Sequence, residues 1–482
     1  MNGSVKTAME RFFDFPAHGA TWRGEIVGGT TTFLTMAYIV FVQPAVLSGA
    51  MFGLSTGLDF GAVMTATCLS AALATMAMGL YARYPIALAP GMGENFVFVF
   101  SLLPAAAALP AVRSGVVQPW QTALGVILIS GVLFVILSLT GARERILDVL
   151  SPNLKRAIAA GIGLFIAFIG LQNAGLIVKD PGTAVRLNPH VTSPDMLIFF
   201  AGLFISAALW ARGVRGALLW GILAAVVLAW GLRLALEILP PLWRESPSVA
   251  ESALMRHFQP ARTLVSAPPS IAPTWLKADL ATALSAPMIP FILLFLFMDV
   301  FDTLGTFVGV CAQGGFMKDN RILRADRVLT VDAVATVAGA AMGTSTVTSF
   351  IESAAGVAQG ARTGVANLVT GLLFLLAPLA APLVRMAGSY APVTAPALVL
   401  VGAMMMRQAA AIAWEDPTEA VPAFLIILGI PLTYSIADGL ALGFLAAAVV
   451  KALGGKARTI RPVEAIVALI LLLYFVGIRA RM

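Results

Sequence analysis

The sequence predicts an all-α membrane protein that crosses the bilayer many times. Of its 482 residues, 59% are hydrophobic and 11% are charged, whereas a soluble domain carries about a quarter charged residues. The apolar residues form about fourteen stretches, several of them short against the roughly 17 to 25 residues that a transmembrane helix needs. The formal net charge of +7 comes from short basic segments between these stretches, which set topology, and we predict no nucleic-acid binding.

The order of the apolar stretches defines the predicted topology. They cover residues 26–48, 61–82, 86–102, 122–140, 157–178, 196–211, 217–236, 286–312, 328–342, 344–361, 364–384, 395–406, 421–436 and 440–452. Lys and Arg collect in alternate connections, and their bias toward inner loops places the amino-terminus in the cytoplasm. A further stretch, residues 463–478, either crosses again or lies along the inner surface. We expect a multi-pass protein of the cell (inner or plasma) membrane.

A weak internal echo divides the chain into two halves. WARGVRGALLWGILAAVV (residues 210–227) and YSIADGLALGFLAAAVV (residues 434–450) both read as a helix end, a short glycine turn and a second helix. Seven segments per half is an odd number, so the second half is inverted, a plan known from transporters. The predicted organisation is a cytoplasmic amino-terminus (1–24), a first inverted repeat (25–238), an extracytoplasmic connecting loop (239–285), a second inverted repeat (286–455) and an apolar carboxyl-terminal segment with its tail (456–482).

The third and tenth segments contain sequences that disfavour a continuous helix. APGMGEN (residues 89–95) combines a proline, which lacks an N–H donor, with two flexible glycines. GTSTVTSFIES (residues 343–353) is rich in β-branched and hydroxyl residues, which favour extended backbone. Such backbone at membrane depth requires protein or a watery cavity to satisfy it, and a following half-helix offers free N–H groups to a ligand near Asn95 and Glu352. Alternatively, the hydroxyl groups only hold helices together.

Acidic residues inside apolar segments indicate a solute or proton path. They are Glu94, Asp299, Asp302, Asp332 and Glu352. A carboxylate in hydrocarbon is costly, so such residues usually face a cavity or the bundle interior. For Asp332, an ion pair with Arg327 is an equally good interpretation, and Glu94 could equally line an outer vestibule.

Asp299 and Asp302 are three residues apart, which places them on one helix face with Thr306 a further turn along. Two neighbouring carboxyls in a low-dielectric site do not both ionise readily, so we expect one to hold a proton near neutral pH. A proton carrier needs that property. The structural alternative is that one of the pair caps a half-helix or pairs with an arginine.

Several classes of protein lack support in the sequence. His18, His190 and His257 lie outside the apolar segments, so no intramembrane histidine relay or metal site is predicted. No Walker A loop and no hydrolase constellation stands out, so we expect neither an enzyme nor a cofactor. Cys68 and Cys311 lie inside apolar runs, where a disulfide framework is not expected.

Several long motifs, in order, resemble the AzgA-like purine permeases of the nucleobase:cation symporter-2 superfamily. They are TTFLTMAYIV (31–40), APGMG (89–93), PWQTALG (119–125), AGIGLFIAFIGLQ (160–172), FDTLGT (301–306), and TSTVTS (344–349) followed by ESAAG (352–356). The resemblance runs from about residue 22 to residue 452. It implies proton-coupled import of hypoxanthine, guanine or adenine by a core of segments one to four and eight to eleven moving against a gate. Gate surfaces in this superfamily often pair, so a homodimer is possible.

The resemblance also implies roles for particular residues. Asp302 and Glu352 would hydrogen-bond the base, Thr306 and Asn95 would lie nearby, and Asp332 would be a coupling acid. From the chemistry of a planar purine we add backbone amides of the tenth segment and aromatic rings that cover the base. These additional candidates are Thr348, Ser349, Phe96 and Phe350. Asp299, Asp302, Asp332 and Glu352 are the candidates for proton coupling.

The third segment departs from the family pattern. Glu94 stands where the family usually has an apolar residue, Phe96 stands where it has a small one, and Gln43 stands in place of an Asn. These changes could alter which base is accepted. A uracil or xanthine carrier is the nearest alternative, and a sulfate- or bicarbonate-type anion carrier is the poorer one, because an acidic site without Lys or Arg disfavours anions.

Overall fold

A computed structural model describes residues 3–140, 151–238, 247–314, 316–318, 321–322 and 324–457. Residues 463–478, for which we predict a further crossing or a surface helix, lie outside the described residues. The first part of the predicted connecting loop, 239–246, lies outside them as well.

The described residues are mainly helical. Up to residue 238 the α-helices are α1 (Gly3–Phe12), α2 (Phe15–His18), α3 (Trp22–Met36), α4 (Ile39–Leu47), α5 (Phe60–Ala77), α6 (Met92–Val97), α7 (Leu103–Ala107), α8 (Pro110–Arg113), α9 (Pro119–Thr140), α10 (Pro152–Asn173), α11 (Pro194–Ala211) and α12 (Ala217–Ile238). From residue 247 they are α13 (Pro247–Ala250), α14 (Ala253–Arg256), α15 (Leu280–Ala283), α16 (Ile289–Gly314), α17 (Ala325–Met342), α18 (Ser353–Ala358), α19 (Gly364–Leu376), α20 (Ala381–Gly388), α21 (Ala391–Met406), α22 (Pro417–Thr433) and α23 (Ile436–Leu453).

Short strands and tight helical turns complete the described elements. The strands are β1 (Leu88–Pro90), β2 (Ile177–Asp180), β3 (Ala184–Leu187), β4 (Met317–Lys318), β5 (Arg321–Ile322) and β6 (Val347–Ser349). The 3₁₀ turns are Ala50–Phe52, Ala286–Met288, Ala377–Ala380 and Arg407–Ala411, and the π-helical turns are Met78–Ala82 and Phe98–Leu102. The strands pair as β1 with β6, β2 with β3 and β4 with β5.

Eight helical stretches among the described residues are long and apolar enough to cross a bilayer. They are Trp22–Leu47, Phe60–Ala82, Pro119–Thr140, Pro152–Asn173, Pro194–Ala211, Ala217–Ile238, Gly364–Gly388 and Ala391–Ala411. Three shorter apolar stretches are Met92–Ala107, Ala286–Val300 and Pro417–Thr433. The prediction of a helical multi-pass membrane protein is confirmed, whereas the arrangement of fourteen segments as two inverted repeats stays a prediction.

Small residues allow the long helices to approach closely. Helix α10 packs against α21 and α22, and a methyl group added at Gly402 would lie 2.3 Å from the carbonyl oxygen of Gly163. Close backbone contact of this kind is the usual basis of helix association in membranes. A side chain larger than hydrogen at Gly402 would therefore force α10 and α21 apart.

The two segments predicted to be discontinuous meet each other in the structure. Strands β1 and β6 pair antiparallel, with Leu88 opposite Ser349 and Pro90 opposite Val347, and every residue of both strands is buried. Proline lacks the donor that a central strand position requires, and here it occupies the last position of its strand. The predicted extended backbone in these two segments is confirmed.

Two threonine side chains hydrogen-bond the backbone groups on the outer edges of this buried strand pair. The Thr75 hydroxyl accepts from the N–H of Leu88 (2.9 Å) and donates to the Leu88 carbonyl (3.0 Å). The Thr336 hydroxyl accepts from the N–H of Val347 at 3.1 Å and lies 3.1 Å from the Val347 carbonyl oxygen. Backbone polar groups within a membrane need partners inside the protein. The two threonine hydroxyls therefore make hydrogen bonds that neighbouring strands would make in a larger sheet.

The described part of the connecting loop packs back onto the helices. The backbone N–H groups of Ala253 and Leu254 donate to the carboxylate of Asp195 on α11, at 2.8 and 2.9 Å. The Thr274 hydroxyl donates to the carbonyl of Met342 at the end of α17, at 2.8 Å. The loop thus contacts helices that precede it and helices that follow it in the chain.

Candidate functional site

The candidate site lies where half-helices α6 and α18 leave the β1–β6 strand pair. Glu94, in the first turn of α6, is buried and bends back toward the start of its own helix. A methyl group added at Gly91 would lie 2.2 Å from Glu94 Oε2 and 3.1 Å from the methyl group of Thr348. Only a glycine at position 91 therefore leaves room for the Glu94 carboxyl, which lies beside the β1–β6 strand pair.

Asp302 is the acid of this site that is most open to solvent. It lies on α16 deep within the protein, yet its side chain is exposed, whereas the adjoining Thr303 is fully buried. The hydroxyl oxygens of Thr303 and Thr348 are 2.7 Å apart. Helix α16 is thus fixed against β6 beside the exposed Asp302 side chain.

Asp299 contacts the neighbouring helix α17. It is fully buried, and its Oδ2 accepts from the Thr336 hydroxyl of α17 at 2.6 Å. Its carboxyl also interacts electrostatically with those of Asp332 and Asp302. The predicted sharing of a proton between Asp299 and Asp302 stays a prediction.

Asp332 is equally buried, and its Oδ1 accepts from the Ser349 hydroxyl at 3.4 Å. Asp299 Oδ1 and Asp332 Oδ2 have no hydrogen-bond donor within the described residues. The alternative ion pair with Arg327 is not formed, since the Arg327 guanidinium lies 5.4 Å from the ring centroid of Tyr81. A proton shared between the two carboxyls would satisfy both unpaired oxygens.

Glu352 immediately precedes α18 and is partly exposed. Its Oε1 accepts from the hydroxyl of Tyr38 at 3.1 Å, and its backbone carbonyl accepts from the Thr35 hydroxyl at 3.4 Å. The first membrane segment therefore positions Glu352. No role for Tyr38 was predicted, and its only signal in the sequence is its place in the TTFLTMAYIV motif.

Asn95 belongs to a buried amide network that joins three segments. Gln43 Nε2 donates to the side-chain oxygens of Asn95, Thr344 and Ser345, each at 3.0 Å. Asn95 donates in return to Gln43 Oε1, and Ser345 donates to Asn95 Oδ1. Gln43 can span these three partners because its side chain is one methylene longer than that of the usual Asn. The predicted contact of Asn95 with a ligand stays a prediction.

The remaining predicted site residues are less accessible. Phe96 is fully buried among aromatic rings, with its centroid 6.2 Å from those of Phe52, Phe100 and Phe165. Phe350, Thr306, Thr348 and Ser349 expose 9% of their surface or less. Both aromatic rings are buried, and their predicted stacking on a base stays a prediction.

The site carries acidic side chains without cationic partners. Within the described ranges, no Lys, Arg or His forms an ion pair with the five acids named above. Nor does that part of the chain contain a group of His, Cys, Asp and Glu side chains that could hold a metal ion. The arrangement can accept N–H groups of a solute and can hold protons.

A multi-pass helical fold with a partly open acidic centre defines a membrane permease, and comparison with known proteins places the chain within one family. It matches the Permease family over residues 23–442 and belongs to that family. It is 43% identical to the Putative permease MJ0326 of Methanocaldococcus jannaschii, over 97% of this chain and 98% of the relative. It is 42% identical to the Guanine/hypoxanthine permease PbuG of Bacillus subtilis, over 98% and 100%, and 37% identical to the Adenine permease AdeP of Escherichia coli, over 98% and 97%.

Solved structures share the fold at low sequence identity. The transmembrane domain of the cyanobacterial bicarbonate transporter BicA matches with a TM-score of 0.59 and 14% identity, covering 89% of this chain and 98% of that domain. At this identity the likeness concerns the fold alone. The chain is thus a transporter by family, and its resemblance to the purine permeases is confirmed by its relatives.

Proposed function

We propose that the protein imports purine nucleobases across the cell membrane in symport with protons. Relatives that match nearly the whole chain are named for guanine, hypoxanthine and adenine. The observation that carries the proposal is the exposed carboxylate of Asp302, in an acidic centre where the described residues supply no paired cation. Such a centre suits a neutral solute rich in N–H donors.

The base binds between the β1–β6 strand pair and helix α16. Purines present N–H donors and ring acceptors in one plane, and ionised carboxylates form strong hydrogen bonds with such donors. Asp302 and Glu352 accept these donors from the base. Tyr38 donates to Glu352, so this acid is oriented before the base arrives.

The transported proton is held by the buried acids behind the base. Asp299 and Asp332 face each other with one unpaired oxygen each, and Ser349 joins Asp332 to the strand next to the base. Asp299 also interacts electrostatically with Asp302. Protonation of the Asp299–Asp332 pair on the outside favours the ionised form of the neighbouring Asp302, which accepts the base, and release of the proton inside favours a protonated Asp302 and weakens base binding.

Transport proceeds by alternating access between a core and a gate. Two inverted seven-segment repeats supply both parts, and the half-helices at the β1–β6 crossing belong to the core. Rocking of such a core against the gate exposes a midplane site first to one side of the membrane and then to the other. The amino-terminus remains in the cytoplasm throughout this cycle.

Uptake by a host that lacks its own nucleobase carriers tests this proposal. Cells that express the protein should accumulate labelled hypoxanthine, guanine or adenine, and unlabelled purines should compete. Uracil, xanthine and sulfate serve as matched competitors for the alternative solutes. Competition by sulfate but not by any purine would contradict the proposal, and dominant competition by uracil or xanthine would favour the alternative within the superfamily.

A further inference from the structure

A cavity of about 490 Å³ lies at the amino-terminal end of helix α3 and shares no lining residue with the acidic site. It is lined by Thr21, Arg23, Gly24, Val27, Arg215, Gln359 and Gly360. These residues come from the start of α3, from the turn between α11 and α12, and from the end of α18 with the residues that follow it. Three parts of the chain that are distant in sequence therefore meet around one opening.

The cavity presents two cationic groups without protein partners. Within the described part of the chain, neither Arg23 nor Arg215 has an ion pair, a side-chain hydrogen bond or a ring contact. The nearest acid along the chain from Arg23 is Glu25, whose buried carboxylate accepts three backbone N–H groups of the 362–366 segment at 2.9 to 3.0 Å. The Glu25 carboxylate therefore binds backbone N–H groups and not Arg23, so the guanidinium groups of Arg23 and Arg215 can bind a ligand.

The local backbone adds to this positive potential. Thr21 caps helix α3 by accepting the N–H of Gly24 at 3.1 Å. Further N–H groups of the first helical turn have no partner within the helix, and they carry the positive end of its dipole. Guanidinium groups bind phosphate oxygens in a bidentate manner. The chemistry of the cavity thus fits a phosphate group.

The surroundings favour a lipid as the source of that phosphate. The cavity lies at the end of the membrane-length stretch Trp22–Leu47. Beside it, Ile26 and Val27 expose 49% and 36% of their surface, which gives acyl chains an apolar surface next to the charged groups. We propose that this cavity binds the phosphate headgroup of an anionic phospholipid through Arg23 and Arg215. Lipid binding here is independent of which solute the protein carries.

Binding of phosphatidylglycerol to the purified, full-length protein tests the proposal. Native mass spectrometry and titration with spin-labelled phosphatidylglycerol in phosphatidylcholine vesicles measure occupancy and affinity. An arginine at a membrane surface contributes about fivefold to the binding of anionic lipid. Arg23→Gln and Arg215→Gln should each weaken binding about fivefold, and the double variant about 25-fold.

The chain offers a matched control in the same turn. Arg212 is exposed near Arg215 but does not line the cavity, so Arg212→Gln should leave the affinity unchanged. The charge-retaining Arg23→Lys and Arg215→Lys should lose less affinity than the Gln variants, which separates binding from folding defects. Wild-type affinity in the double variant would overturn the proposal. If the cavity binds inorganic phosphate through the arginines but shows no preference for phosphatidylglycerol, the claim that the phosphate belongs to a lipid is wrong.

Discussion

Replacement of Glu352 by Gln should strongly weaken base binding while the protein stays folded. Glu352 Oε1 accepts one hydrogen bond from Tyr38 at 3.1 Å, and a carboxylate has about four lone-pair sites, so capacity remains for N–H groups of the base. Glutamine keeps one oxygen, which can still accept from Tyr38. Its NH₂ group would then face an N–H group of the base, and two donors cannot form a hydrogen bond. A hydrogen bond to a charged partner contributes about 1.5 to 3 kcal/mol, or about ten- to 150-fold in affinity.

Titration of purified protein with labelled hypoxanthine, guanine and adenine measures this loss directly. Tyr38→Phe is the matched control, because it removes one donor to Glu352 and leaves the carboxylate in place. Its expected cost is about 0.5 to 1.5 kcal/mol, or roughly two- to tenfold in affinity. Equal affinities in Glu352→Gln and wild type, with both proteins folded, would refute the assignment of Glu352 to the base.

Four further predictions concern coupling, specificity and stability. Asp302→Asn should weaken base binding about as much as Glu352→Gln and should abolish proton-driven accumulation in vesicles, because Asp302 accepts the base next to the proton-holding pair; wild-type accumulation would contradict this role. Asp299→Asn should shift the pH dependence of transport by disrupting the shared-proton pair, and an unchanged pH profile would remove Asp299 from the proton path. Glu94→Leu should change the order in which purines compete for uptake, since Glu94 lies beside the strand crossing; an unchanged order at normal expression would place Glu94 outside the substrate pocket. Glu25→Gln should lower the free energy of unfolding by about 1.5 to 3 kcal/mol, because Glu25 accepts three buried backbone N–H groups, and an unchanged transition in denaturing micelles would contradict that role.

The broken third and tenth segments were predictable because their cause is local. Proline, glycine and β-branched residues disfavour helix wherever they occur, and membrane depth requires such backbone to be satisfied within the protein. The partner of each strand was not predictable, since pairing depends on how distant segments pack. The sequence pattern likewise did not indicate that Thr75 and Thr336 would complete the edges of the strand pair.

The environment of each acid was only partly predictable. A spacing of three residues leaves side chains about 60° apart around a helix, so Asp299 and Asp302 need not share one environment. In the structure the Asp302 side chain is exposed, whereas Asp299 is buried and accepts from Thr336 on the next helix. Helical spacing could not reveal this because Thr336 comes from another helix.

The buried amide network also escaped the sequence analysis. Gln43 was noted only as a departure from the usual Asn, and its three hydrogen-bond partners come from two other segments. A polar side chain in an apolar helix indicates a partner but not which one. The partner depends on helix packing that no local pattern encodes.

Accumulation of purine in vesicles that contain only the purified protein tests the central claim most directly. With an inward proton gradient as the only driving force, the vesicles should concentrate labelled hypoxanthine, guanine or adenine above the external level, and a protonophore should abolish the accumulation. Purine that only equilibrates across the membrane under this gradient would contradict proton coupling. Failure of all three purines to enter, while sulfate or bicarbonate does, would contradict the proposed function itself.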